Sequence, residues 1–144
     1  MVRTFKAKVL VPGVADGSAL VTAEPLSLWG GYCPHTGEII DRRHELSGSS
    51  AVGRIFLFPL GRGSSTASAT LMESIRNNVA PAAIINSSVD PILALGAIVS
   101  DELYQQSIPV LVLAHDDFSA INSDDHVRIA ADGTVTVDPN DTSA

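Results

Sequence analysis

Six consecutive residues, Gly61-Arg62-Gly63-Ser64-Ser65-Thr66, set two glycines, one guanidinium and three hydroxyls between an apolar run and a helical pattern. Those residue types suit an anion. Glycines let the backbone come close to a ligand. The free N–H groups and dipole of a helix start attract negative charge, and an arginine can grip a carboxylate through two parallel hydrogen bonds. Ser64 and Ser65 put further hydroxyls at the same point. The plainer alternative is that Ser65 or Thr66 caps the helix while the glycines make the turn. Capping alone gives Arg62 and the surplus hydroxyl no purpose, so Arg62, Gly63, Ser64 and Ser65 read as a ligand-contacting loop.

Common loop motifs do not fit it. A phosphate-binding P-loop needs a lysine before its final hydroxyl, and no lysine follows Lys8. The dinucleotide fingerprint needs a third glycine where Thr66 stands, and the G-x-S-x-G elbow of serine hydrolases is absent. Among the four histidines, His44 in Asp41-Arg42-Arg43-His44 is the best acid–base or hydrogen-bonding candidate, the alternative being a merely solvated charged loop. His35, His115 and His126 sit in polar or turn contexts and read as bystanders. Cys33 lacks the surroundings of a catalytic cysteine. Asp124-Asp125-His126 suggests metal ligands, but it precedes a hairpin and reads as a solvated turn.

The elements that must hold this chemistry follow from periodicity. Residues 5–11 and 18–22 read as strands, with Pro12-Gly13 ending the first. Residues 25–50 are too rich in Gly and Pro for a long element, and a loop of that length is functional or conceals structure. Residues 52–60 are apolar at nearly every position after Arg54, as in a strand covered on both faces. Ala67, Leu71, Ile75 and Val79 then recur every fourth residue, predicting a helix over 66–78. A strand at 82–86, a helix at 91–104 opened by Asp90-Pro91, and a strand at 109–113 come next. Two short strands, 126–130 and 134–138, flank the hairpin signal Asp132-Gly133. Strand–helix alternation from 52 to 113 predicts parallel pairing in a single α/β domain spanning 1–144, with 139–144 as a frayed tail.

Composition narrows the function. The net charge of −7, with only nine Lys and Arg, argues against nucleic acid or an anionic membrane as partner. One cysteine excludes a disulfide framework or a cluster site built by this chain alone. Residues 1–6 lack the apolar core of a signal peptide, and no run reaches the ~18 apolar residues of a membrane span. A cytoplasmic protein is expected.

Five blocks in order carry a resemblance: "EPLSLWGG" (24–31), "TGEIIDRRHELSG" (36–48), "GRGSSTAS" (61–68), "APAAII" (80–85) and "DPILALGAIV" (90–99). Together they resemble the small, swivelling-domain subunit of the aconitase X family, over about residues 10–113. The resemblance implies a swivelling β/β/α domain, like the mobile domain of aconitases. It implies a large-subunit partner, in a heterodimer or higher assembly, that carries an iron or iron–sulfur centre, with no metal held by this chain alone. It implies that Ser64 is the base taking the substrate's proton. On the chemistry of their side chains and backbone, Arg62, Gly63, Ser65 and His44 are the residues expected around the substrate.

Two hydro-lyase activities belong to that family: dehydration of cis-3-hydroxy-L-proline in a mostly bacterial branch, and of mevalonate 5-phosphate in an archaeal one. The archaeal branch typically carries Lys at the position of Arg62 and a single Ser-Thr pair. Arg62-Gly63-Ser64-Ser65-Thr66 and "DPILALGAIVSDELY" resemble the bacterial type, so hydroxyproline dehydration is the expected reaction. One departure is Cys33, where a "GG-x-D-P" pattern is usual and Gly30-Gly31-Tyr32-Cys33-Pro34 stands here. A reading from another class is a non-catalytic anion-binding or assembly module.

Overall fold

Three apolar segments become parallel neighbours in the middle of a sheet: β4 (Ile55–Leu57), β5 (Ala83–Asn86) and β6 (Val110–Val112). The structure, a computed structural model, describes residues 2–61 and 66–140. The remaining strands are β1 (Arg3–Lys6), β2 (Lys8–Val11), β3 (Ala15–Val21), β7 (His126–Ile129) and β8 (Thr134–Asp138). Between them lie one turn, α1 (Leu28–Gly31), and the helices α2 (Thr66–Arg76), α3 (Pro91–Tyr104) and α4 (His115–Ser119).

The sheet order is β1-β8-β7-β3-β4-β5-β6-β2. β3 joins its two halves: Ala15–Ser18 pair antiparallel with β7, while Ala19–Val21 pair parallel with β4. β1 and β2 stand at opposite ends of that order, yet only Ala7 separates them in the chain. The sheet therefore curls until its two edges are nearly joined, and the Ala7 N–H is held by the Gly133 carbonyl at 2.9 Å. Near-closure leaves few unpaired edges.

Alternation along the strands sorts their side chains into two cores. Ala19, Ile55, Leu57, Ala83, Ile85, Leu111, Val127 and Val135 point into the curled sheet. Leu20, Phe56, Phe58, Ile84 and Val110 face outward and meet Leu71, Ile75, Leu93 and Ala97 of α2 and α3. Leu26, Leu28, Tyr32 and Ile39 join that outer core from the 25–50 segment. Between those anchors the segment is irregular, tied by isolated bridges at Tyr32–Ile39 and Glu38–Ser50.

The structure corrects several expectations. Residues 5–11 form no single strand, because the chain changes partner at Ala7, from β8 to β6. The strand expected over 52–60 is regular only at Ile55–Leu57. α4 was not anticipated; with Asp116 and Asp117 in its first turn it reads locally as a polar loop. Asp125 is buried rather than solvated, accepting the N–H groups of Asn122 (2.9 Å) and Asn140 (3.1 Å).

Candidate functional site

The reacting loop expected from the sequence leaves the carboxyl end of β4 and enters α2, on the sheet edge where open α/β folds gather ligands. Arg62, Gly63, Ser64 and Ser65 lie outside the described residues. Their flanks are defined. Leu26 bridges Gly61 as a parallel partner, and the Leu26 N–H donates to the Leu60 carbonyl at 3.3 Å. The Gly61 N–H donates to Asp90 Oδ2 at 2.9 Å, while Asp90 Oδ1 accepts the N–H groups of Ile92 and Leu93 at the start of α3.

The strand-like piece around Leu26 also walls a cleft of about 420 Å³, lined among others by Glu24, Ser27, Trp29, Asp41, Arg43 and His44. Trp29 stands 62% exposed at its rim. It occupies the second position of a turn with φ −71° and ψ 119°, followed by Gly30 at φ 79° and ψ −12°. These are type II turn angles, and the third position calls for glycine. The sequence therefore presents an indole to solvent beside the cleft, on a turn that Trp-Gly-Gly makes cheaply.

His44 is 6% exposed on the cleft wall. The Asp41 carbonyl accepts its N–H at 3.0 Å, and the Asp41 side chain accepts the Arg43 N–H at 3.0 Å, so Asp41 builds the turn that sets the ring. His44 Nδ1 accepts the Leu46 N–H at 3.1 Å. An imidazole nitrogen that accepts is unprotonated, so in the neutral ring Nε2 carries the proton. That Nε2 is buried and has no hydrogen-bond partner among the described residues. Next to it in sequence, Glu45 accepts a hydrogen bond from the buried Thr22 hydroxyl at the end of β3.

The other candidates lie apart. Cys33 is not among the residues lining this cleft. Hydrogen bonding from the Thr36 side chain, and then from the His35 backbone, lowers its thiol below the ordinary value, while burial pulls weakly the other way. His35 approaches Glu73 at 4.0 Å, His126 approaches Asp16 at 3.8 Å, and His115 opens α4. Among the described residues no group of three or more His, Cys, Asp or Glu is placed to hold a metal ion. A second cleft of about 430 Å³ sits by the carboxyl ends of α2 and α3, lined by Asn78, Gln105 and Gln106 with no titratable side chain.

Three contributors escaped the sequence reading. Asp90 was legible as a helix cap, but its second oxygen reaches Gly61 across 29 positions of sequence. Trp29 and Glu24 were legible only as members of the block 24–31 that carries part of the resemblance.

Comparison with known proteins bears on this site. The family described as "Aconitase X swivel domain" matches residues 4–137. The chain is 48% identical over 106 residues to the cis-3-hydroxy-L-proline dehydratase of Pseudomonas aeruginosa, covering 74% of this chain and 18% of that protein. It is 38% identical over 132 residues to the protein of the same name from Hypocrea jecorina, covering 92% of this chain and 22% of that protein. The chain thus spans about a fifth of those two relatives' length. The phosphomevalonate dehydratase small subunit of Methanosarcina mazei is 35% identical over 126 residues, covering 87% of this chain and 83% of that subunit. Among solved structures, aconitase X of Thermococcus kodakaraensis superposes with a TM-score of 0.84 at 36% identity, covering 94% of this chain and 98% of that one.

Proposed function

Because the chain belongs to the aconitase X swivel-domain family, we propose that it is the small, swivelling unit of a hydro-lyase that dehydrates cis-3-hydroxy-L-proline to pyrroline-2-carboxylate. It works in the cytoplasm with a large subunit. The observation that carries this reading is the Gly-Arg-Gly-Ser-Ser-Thr loop at the junction of β4 and α2. It occurs in a chain 48% identical over 106 residues to a bacterial enzyme of that name.

The reaction removes the proton α to the carboxylate and expels the 3-hydroxyl. In this proposal Ser64, as its alkoxide, takes the α-proton. The electrons of the C–H bond become the C2–C3 double bond as the C3–O bond breaks, and the hydroxide leaves as water on gaining a proton. The enamine so formed tautomerises to the cyclic imine. A serine hydroxyl is a weak base in water, so its alkoxide needs a positive local field, which the amino end of α2 and the Arg62 guanidinium supply. Gly63 and Ser65 bind beside it through N–H and hydroxyl. His44 binds as a donor: its Nδ1 is occupied by the Leu46 N–H, which leaves the Nε2 proton for a substrate oxygen.

Cys33 is the chain's single cysteine, and the described residues assemble no group of three ligands that would fit an iron centre. The proposal assigns that centre to the large subunit, and no step above is routed through it.

A second reading keeps the enzyme and changes the substrate to mevalonate 5-phosphate. It is favoured by the likeness to small subunits of that name, such as that of Methanothrix thermoacetophila, 39% identical over 127 residues. Assay of the purified two-subunit complex on both substrates decides. Turnover of cis-3-hydroxy-L-proline with none of mevalonate 5-phosphate is expected, and the reverse overturns the substrate assignment. Ligand binding or assembly with turnover of neither leaves the anion-binding module as the better account.

A further inference from the structure

The chain on either side of residues 62–65 is fastened to one short stretch, Asn86–Ile92. On the entry side, Asn86 Nδ2 donates to the Phe58 carbonyl at 2.9 Å. The N–H groups of Ser87 and Ser88 both donate to the Pro59 carbonyl, at 3.0 and 3.2 Å. Asp90 Oδ2 accepts the Gly61 N–H at 2.9 Å. On the exit side, Ser68 in the first turn of α2 donates its hydroxyl proton to the Ile92 carbonyl at 2.6 Å. There α3 comes so close that a Cβ on Gly96 would sit 3.0 Å from the Ser68 carbonyl oxygen. Asp90 joins the two sides, because its other oxygen accepts from Ile92 and Leu93 and so fixes the turn that holds Ser68.

We propose that Asp90 is a positioning residue for the reacting loop: one carboxylate oxygen holds the loop's entry at Gly61, and the other fixes the first turn of α3, which holds its exit through Ser68. The inference rests on the reading of Ser64 as the base. Its physical content is that a base must meet its proton within a few tenths of an ångström, and a loop anchored at one end only cannot ensure that. A helix cap alone would engage one oxygen; here the second is spent on the loop.

Substitutions can separate the two oxygens. Asp90→Asn keeps an oxygen for the cap but turns an amide donor toward the Gly61 N–H. Asp90→Ser also caps but is too short to reach Gly61. Asparagine and serine cap about as well as aspartate, so α3 and its contacts persist in both. Gly61→Ala attacks the same bond from the other side, since its Cβ would collide with Asp90 Oδ2.

The experiment measures kcat, KM and thermal midpoint for the complex with its large subunit, using cis-3-hydroxy-L-proline. The panel is Asp90→Asn, Asp90→Ser, Gly61→Ala, the double variant Gly61→Ala/Asp90→Ser, and Ser64→Ala. Displacing a reacting group by about 1 Å costs on the order of a hundredfold. Each Asp90 variant and Gly61→Ala should therefore lose about ten- to a hundredfold in kcat, with KM and midpoint near wild type. The double variant should lose no more than the worse single one, because both break one interaction. Unchanged kcat in both Asp90 variants, a loss that follows the thermal midpoint, or losses that multiply in the double variant would each overturn the proposal. Ser64→Ala keeps the two readings apart. If it abolishes turnover while the Asp90 variants are unaffected, only the positioning role falls; if it retains turnover, the base falls and the positioning role with it.

Discussion

His44 combines deep burial with a ring nitrogen that has no hydrogen-bond partner among the described residues. A buried donor without a partner is costly, about 1–3 kcal/mol, and an acceptor bound in the cleft beside Nε2 would remove that cost. Asparagine at this position can accept the Leu46 N–H as Nδ1 does, but it offers nothing where Nε2 stood. His44→Asn should therefore keep the fold and reduce kcat/KM about tenfold, the worth of one hydrogen bond to a ligand. An unchanged kcat/KM in the complex would remove His44 from the site. Cys33 makes a different prediction. Hydrogen bonding from the Thr36 side chain lowers its thiol below the ordinary value, so more of it is thiolate at neutral pH than in a free cysteine. Alkylation by iodoacetamide should reach half its maximal rate below the pH of about 8.5 usual for a thiol, and Thr36→Val should move that midpoint up. At this scale the sequence singled out Ser64, Arg62 and His44 by residue type, and of these only His44 is among the described residues. It did not expose Asp90 as more than a cap, because its partner Gly61 lies on another element and no local pattern records that distance.

The elements that read correctly were those whose signals are local. α3 runs over Pro91–Tyr104 as its Asp-Pro start foretold, with the Asp90 side chain accepting from Ile92 and Leu93. β8 runs over Thr134–Asp138 because alternation and a turn signal both mark it. Residues 5–11 misled because alternation states which face a residue takes and is silent on which strand it pairs with. The 25–50 segment misled for another reason: its order comes from a few deep anchors rather than from a period. Tyr32 is one of them, 2% exposed, with its hydroxyl donating to the Val79 carbonyl at 2.7 Å. Tyr32→Phe strands that carbonyl and should destabilise the fold by about 1–3 kcal/mol in urea unfolding. Burial also raises the phenol above its ordinary value near 10. The folded state thus favours the neutral form, and this contribution is complete below pH 10 and fades as pH rises toward the raised value. Wild type should lose stability above pH 10 more steeply than Tyr32→Phe; parallel pH profiles would contradict the assignment.

At the scale of the whole molecule, a sheet nearly closed through the single residue Ala7 carries the Leu26–Gly61 bridge beside the cleft of His44 and the exposed Trp29. Such a body can present a base without supplying the rest of a reaction. The fold class was legible from strand–helix alternation. The closure was not, because it depends on the two ends of the strand order meeting. The chain by itself should show no turnover, and activity should appear only on addition of the large subunit. The most direct test compares wild type and Ser64→Ala in that complex, following the rate of water loss from cis-3-hydroxy-L-proline under saturating substrate. Loss of a positioned proton acceptor should lower kcat by about a hundred- to ten-thousandfold while the complex still assembles and binds substrate. A Ser64→Ala complex that turns over at near the wild-type rate would contradict the claim that this chain supplies the base.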